Sequence, residues 1–85
     1  MARGDDPQPA LGAVIRELRT KQGVTQEDLA HEAGIRVGTV SLIERGKSNP
    51  AWGTVKRIAQ ALGSTVGEVA KRADKIDGAS KDLAL

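Results

Sequence analysis

Four apolar stretches at helical spacing, each closed by a glycine, leave this chain few ways to fold. Leu11, Val14, Ile15 and Leu18 fall at i, i+3, i+4 and i+7 ahead of Gly23, and Val55, Ile58, Ala59 and Leu62 repeat that stripe ahead of Gly63. Between them, Leu29, Ala30 and Ala33 precede Gly34, while Val40 and Ile43 precede Gly46. Glycine is favoured just past a last helical turn because it takes the left-handed backbone conformation without a Cβ clash. Starts are marked as well. Thr25 with Asp28, and Thr65 with Glu68, have capping-box spacing, and Pro50 stands just before a fourth start. No segment alternates with period two. The pattern predicts an all-α fold of five helices, at about 10–22, 26–33, 37–45, 51–62 and 66–73.

At 85 residues the chain makes one small domain, expected over 9–73. Residues 1–8 hold one proline and two aspartates without apolar periodicity, and read as a flexible arm. Residues 74–85, "DKIDGASKDLAL", read as a partly disordered tail. The same segment is also compatible with an extension of the last helix, or with packing on a partner through Ile76, Leu83 and Leu85.

The chain has no Cys, Phe or Tyr and a single Trp, so its core is aliphatic, with Trp52 expected in the core or at an interface. Without cysteine there is neither a disulfide framework nor a thiolate metal site, which fits a reducing cytoplasm. No apolar run approaches a membrane span, and "MARGDDPQPA" lacks the apolar segment of a secretory signal. His31 stands alone on an acidic helix, away from any clustered ligand, so no metal or other cofactor is expected. Nor does it make a plausible base for Ser41, Ser48 or Ser64, which argues against an enzyme.

The formal net charge of +2 does not by itself select nucleic acid as a partner; the order of charges says more. Arg16, Arg19 and Lys21 on the first helix are followed by an acidic second helix with Glu27, Asp28 and Glu32. Positive charge then returns at Arg36, Arg45, Lys47, Lys56 and Arg57.

The second and third helices, "TQEDLAHEAGIRVGTVSLIERG", are separated by a short turn at Gly34, with the small Ala30 beside it. Val40 and Ile43 seat the third helix on the core and leave its other face outward, a shape that fits the DNA major groove. The series "LR…GVTQEDLA", "GI", "VSLIERGK" and "P…RIAQALG" resembles, in order and spacing, the Xre type of helix-turn-helix domain of phage Cro and repressor proteins, over about residues 10–73. That resemblance implies a five-helix domain binding double-stranded operator DNA, usually as a homodimer.

Roles follow for particular residues. Gln26, in the first turn of the second helix, resembles a phosphate-contacting glutamine. Arg45 lies at the exit of the third helix, and Lys47, Ser48 and Asn49 occupy the loop that in similar domains lies along the DNA backbone. Arg19 and Glu44 match a pair that in similar repressors forms a partly buried salt bridge and orients the recognition helix. The base-reading face would consist of Arg36, Val37, Gly38, Thr39, Ser41 and Leu42. Here the chain departs from the family pattern. Arg36 stands where a Ser or Thr cap is common, and Val37, Gly38 and Leu42 replace polar readers. Val37 and Leu42 suit thymine methyl groups, and Arg36 suits the O6/N7 edge of guanine.

The sequence therefore reads as a dimeric, sequence-specific regulator of transcription, repressor-like, with no membrane partner. Controller, antitoxin and phage-repressor roles remain open. The alternative is a protein–protein adaptor on the same fold, favoured by the apolar Val37–Leu42 surface and the low net charge.

Overall fold

The computed structural model describes residues 6–84, with side chains as far as Gly78, so residues 1–5 of the expected arm and the side chains of Leu83 and Leu85 lie outside it. The described residues form five helices and no strand: α1 (Pro9–Lys21), α2 (Gln26–Ala33), α3 (Val37–Glu44), α4 (Trp52–Ala61) and α5 (Val66–Ala84). The all-α expectation holds.

The punctuation acts as the sequence implies. Gly23, Gly34, Gly46 and Gly63 all take φ of +69°. At Gly34 this conformation lets the Ile35 N–H donate to the Ala30 carbonyl at 3.0 Å, closing α2 and setting the sharp turn into α3. At the other end of α2 the capping box is complete. The Asp28 N–H donates to Thr25 Oγ1 at 3.0 Å, and the Thr25 N–H donates to the Asp28 carboxylate at 3.3 Å. Thr65 caps α5 through the Glu68 N–H at 3.1 Å, and the Glu68 carboxylate accepts from Arg72 at 3.3 Å.

Two apolar clusters fill the interior. Ile15, Leu29, Ala30, Ala33, Val40, Ile43, Ile58 and Leu62 join α1 to α4, and Val14, Ala59 and Val69 join α1, α4 and α5. Leu11 and Leu18 pack against both clusters, so α1 is the shared wall between the α3 side and the α5 side. Gln22 Nε2 donates to the Leu62 carbonyl at 2.8 Å, tying the end of α1 to the end of α4.

Three expectations are corrected. Helix α5 does not stop at 73 but runs to Ala84. Gly78 is not among the glycines of positive φ, so it is carried inside the helix, at a propensity cost of about 1 kcal/mol. Of the core or interface position expected for Trp52, the core is excluded: it is 70% exposed at the start of α4, because the stripe that faces inward is Val55, Ile58 and Ala59. The end of the N-terminal arm is not free either. The Gln8 N–H donates to the Ser48 carbonyl at 3.0 Å, which anchors residue 8 to the loop after α3.

Candidate nucleic-acid interface

Helix α3 is short and presents two unlike sides. Val40 is 0% exposed and Ile43 1%, whereas Val37 is 45% and Leu42 44% exposed. A side chain that large and apolar left at the surface, twice on one helix, has no role in the core of this chain. Arg36 is the N-cap residue and its side chain makes no capping bond; the Thr39 N–H donates instead to the Arg36 carbonyl at 3.0 Å. Gly38 has open space where a Cβ would lie. Thr39 and Ser41 are half-buried on either side, and Arg36 is exposed. All six expected base-reading residues thus sit within or at the start of one helix, with Arg36, Val37, Gly38 and Leu42 exposed.

The helix is held from beneath by charge. Arg19 Nε donates to Glu44 Oε2 at 2.7 Å and Arg19 Nη2 donates to Glu44 Oε1 at 3.0 Å, a two-pronged pairing of guanidinium and carboxylate. The two side chains are 13% and 2% exposed. Arg19 spends its remaining arm on the Val24 carbonyl at 2.8 Å, so one guanidinium ties α1, the α1–α2 connection and the end of α3. Burial by itself pushes the Glu44 carboxyl up, but bonds from Arg19 and Gln26, with the nearby charges of Arg19 and Arg16, outweigh it and hold it below the ordinary range. The hydrogen bond to Glu44 raises Arg19 in turn, against the opposing effect of burial.

Gln26 is half-buried, and its Nε2 donates to Glu44 Oε1 at 3.0 Å. The residue expected at a phosphate is therefore a third member of the Arg19–Glu44 group, with its second amide hydrogen left for another acceptor. Of the loop residues, Lys47 and Asn49 are exposed, and Arg45 is exposed with Nε donating to the Ser41 carbonyl at 3.4 Å. Ser48 differs. Its Oγ is buried without a hydrogen-bond partner, and its carbonyl accepts from Gln8.

One position, Gly12, was missed in the sequence, and Gly46 was read only as a helix stop. Gly12 lies where a Cβ would overlap the Ile43 carbonyl oxygen and sit 3.0 Å from the Ile43 carbonyl carbon, so α1 and α3 meet backbone to backbone. The available signal was a glycine inside an apolar helical stripe, which often marks close approach. Gly46 has a second reason besides φ, since a Cβ there would lie 2.9 Å from Pro9. Among the described residues, no group of acidic or histidine side chains could hold a metal ion, and no helix is long and apolar enough to cross a membrane.

Comparison with known proteins agrees with this geometry. The sequence profile of the helix-turn-helix family matches residues 15–69. An uncharacterized HTH-type transcriptional regulator of Archaeoglobus fulgidus is 38% identical over 55 residues, which are 65% of this chain and 79% of that protein. The crystal structure of the clp gene regulator ClgR from Corynebacterium glutamicum superposes with a TM-score of 0.80 at 32% identity, covering 91% of this chain and 85% of that one. The restriction-modification controller protein C.AhdI from Aeromonas hydrophila gives 0.71 at 34% identity, covering 73% and 94%. These relatives carry the names of regulators, not of enzymes.

Proposed function

The chain belongs to the Xre-like helix-turn-helix family of transcriptional regulators, and we propose that it is a homodimeric repressor that reads palindromic double-stranded DNA with α3 in the major groove. The observation that carries this reading is the two-sided α3: an exposed Val37–Leu42 face on a helix clamped from below by Arg19 and Glu44. A reading surface must be rigid to discriminate, and here the rigidity comes from a buried ion pair and a backbone contact rather than from the bound DNA.

On this reading Val37 and Leu42 pack on thymine methyl groups, Gly38 allows close approach to the groove, and Arg36, Thr39 and Ser41 supply donors. Gln26, Arg45, Lys47 and Asn49 hold phosphates, with Ser48 contributing its backbone rather than its inward hydroxyl. Dimerisation uses the α4–α5 face. There the exposed Trp52 stands beside a groove of about 310 Å³ shared with Lys56, Gln60 and Val66, so projection and hollow lie on one patch, as a two-fold interface requires. Two copies would read half-sites about 34 Å apart, one helical turn.

Selection of bound sequences from a random DNA pool, at two salt concentrations, tests the whole reading. A palindrome with thymine-containing half-sites is expected. Bound DNA without sequence preference would remove the specificity, and a monomer on the DNA would remove the dimer. A second reading, protein–protein adaptor, draws on the same exposed Val37 and Leu42. It predicts binding that changes little with salt, whereas contacts to several phosphates weaken steeply.

A further inference from the structure

One cation of α1 has no partner. Arg19 is paired with Glu44 at 2.7 Å and Lys21 with Glu17 at 3.9 Å, but the guanidinium of Arg16 has no hydrogen bond or ion pair among the described residues. Its own helix offers none. The positions three and four residues away are Gly12, Ala13, Arg19 and Thr20, and none is acidic. The Arg16 side chain is exposed.

Its neighbours fix which side of α1 it occupies. By the helical repeat of about 100° per residue, Arg16 lies about 40° from Gly12, about 60° from Arg19 and about 160° from Val14. Gly12 meets the backbone of Ile43 and Arg19 meets the carboxylate of Glu44, whereas Val14 packs with Val69 of α5. Arg16 therefore belongs to the α3 side, along the axis between the two contacts that fix α3. Burial pushes the Glu44 carboxyl up; Arg19 and Gln26 lower it through hydrogen bonds, and Arg16 lowers it by charge alone. Arg16 is near enough to act on Glu44 without bonding to it.

Arg19 and Glu44 cancel in charge, so with Gln26 they form a group that is neutral overall. Such a group offers a phosphate only the second amide hydrogen of Gln26, beside a carboxylate that repels it. Arg16 makes the surroundings cationic, and its planar fork matches two phosphate oxygens. We infer that Arg16 is a DNA-backbone contact, holding a phosphate of the duplex beside the Arg19–Glu44–Gln26 group. The inference rests on the proposed reading of DNA by α3 and deepens it: α1 grips the backbone together with α2 and the loop after α3.

The test titrates labelled DNA with the full chain, Arg16→Gln and Arg16→Lys, on the selected site and on an unrelated duplex, at several salt concentrations. Arg16→Gln is expected to weaken binding to both duplexes by roughly tenfold. It should also lower the slope of log affinity against log salt by about 0.9 per bound copy. Arg16→Lys keeps the charge and should keep the slope. A role confined to supporting Glu44 would leave the slope unchanged and lower the melting temperature instead. With no partner to lose, Arg16→Gln should melt close to the unaltered chain. Single uncharged methylphosphonates, scanned along the selected site, locate the contact: at one position in the half-site, neutralisation should weaken the unaltered chain and leave Arg16→Gln unaffected. An unchanged slope, the absence of such a position, or an altered base preference would overturn this inference alone. Failure of the unaltered chain to bind DNA would overturn the proposed function, and this inference with it.

Discussion

The backbone of Gly12 lies against the carbonyl of Ile43 with no room for a methyl group between them. That contact, together with Arg19 on Glu44 seven residues further along α1, fixes α3 on α1 at two points nearly two turns apart. Gly12→Ala should therefore destabilise the fold by about 1–3 kcal/mol, since overpacking outweighs the gain of up to about 1 kcal/mol in helix propensity. Urea unfolding measures this directly. Unchanged or raised stability would mean that α1 can shift without cost.

At Gly38 the same substitution should have the opposite sign. A Cβ there meets nothing within 4 Å, and no positive φ is required. Gly38→Ala should stabilise the protein by about 0.5–1 kcal/mol through helix propensity. Its methyl group also projects from the exposed side of α3, so DNA affinity should fall while the melting temperature rises. A gain in both would show that Gly38 does not face the groove floor.

The Arg19–Glu44 pair gives the fold an acid limit. Burial opposes ionisation of Glu44, and the bonds from Arg19 and Gln26 more than reverse this, so its folded pKa is depressed. Stability from a depressed carboxylate is fully present above the unfolded value, about 4.3. It is lost progressively as pH falls from there through the lower folded value. Glu44→Ala should cost about 3–5 kcal/mol at pH 7, because it strands the largely buried Arg19. The difference from the unaltered chain should narrow as pH is lowered toward 3. A difference constant with pH, in denaturant titrations, would mean that the charge of Glu44 contributes nothing.

Much of this architecture was legible because its signals are local. A glycine after an apolar stripe and a threonine three residues before an acid each act on the backbone beside them, and helix boundaries followed to within a residue or two for α1 to α4. The end of α5 was not legible. Gly78 resembles the four stopping glycines in sequence, but a helix ends only where the next turn is better satisfied elsewhere, and here the helix carries it. The core alternative for Trp52 fails for a related reason, since size suggests burial while its register on α4 decides otherwise. At the site, Arg19 and Glu44 were matched only through resemblance, being 25 residues apart. The bond from Gln26 to Glu44 and the inward hydroxyl of Ser48 depend on the three-dimensional course of the chain, and nothing in "TQED" or "GKSN" announces them.

Leu42 and Lys47 should separate base reading from phosphate holding. Leu42 is 44% exposed on α3, and Lys47 is exposed in the loop whose N–H donates back to the Leu42 carbonyl at 3.0 Å. If Leu42 packs on a thymine methyl group, Leu42→Ala should cost about 1 kcal/mol on the selected site. Most of that penalty should vanish when the contacted thymine is replaced by uracil, which lacks the methyl, while the salt dependence is unaltered. Lys47→Ala should weaken selected and unrelated DNA alike, and lower the slope of log affinity against log salt by about 0.9. Anisotropy titrations on both sequences at several salt concentrations read all four quantities. A salt slope altered by Leu42→Ala, or a base preference altered by Lys47→Ala, would reverse the assignments and place the loop, not the helix, over the bases.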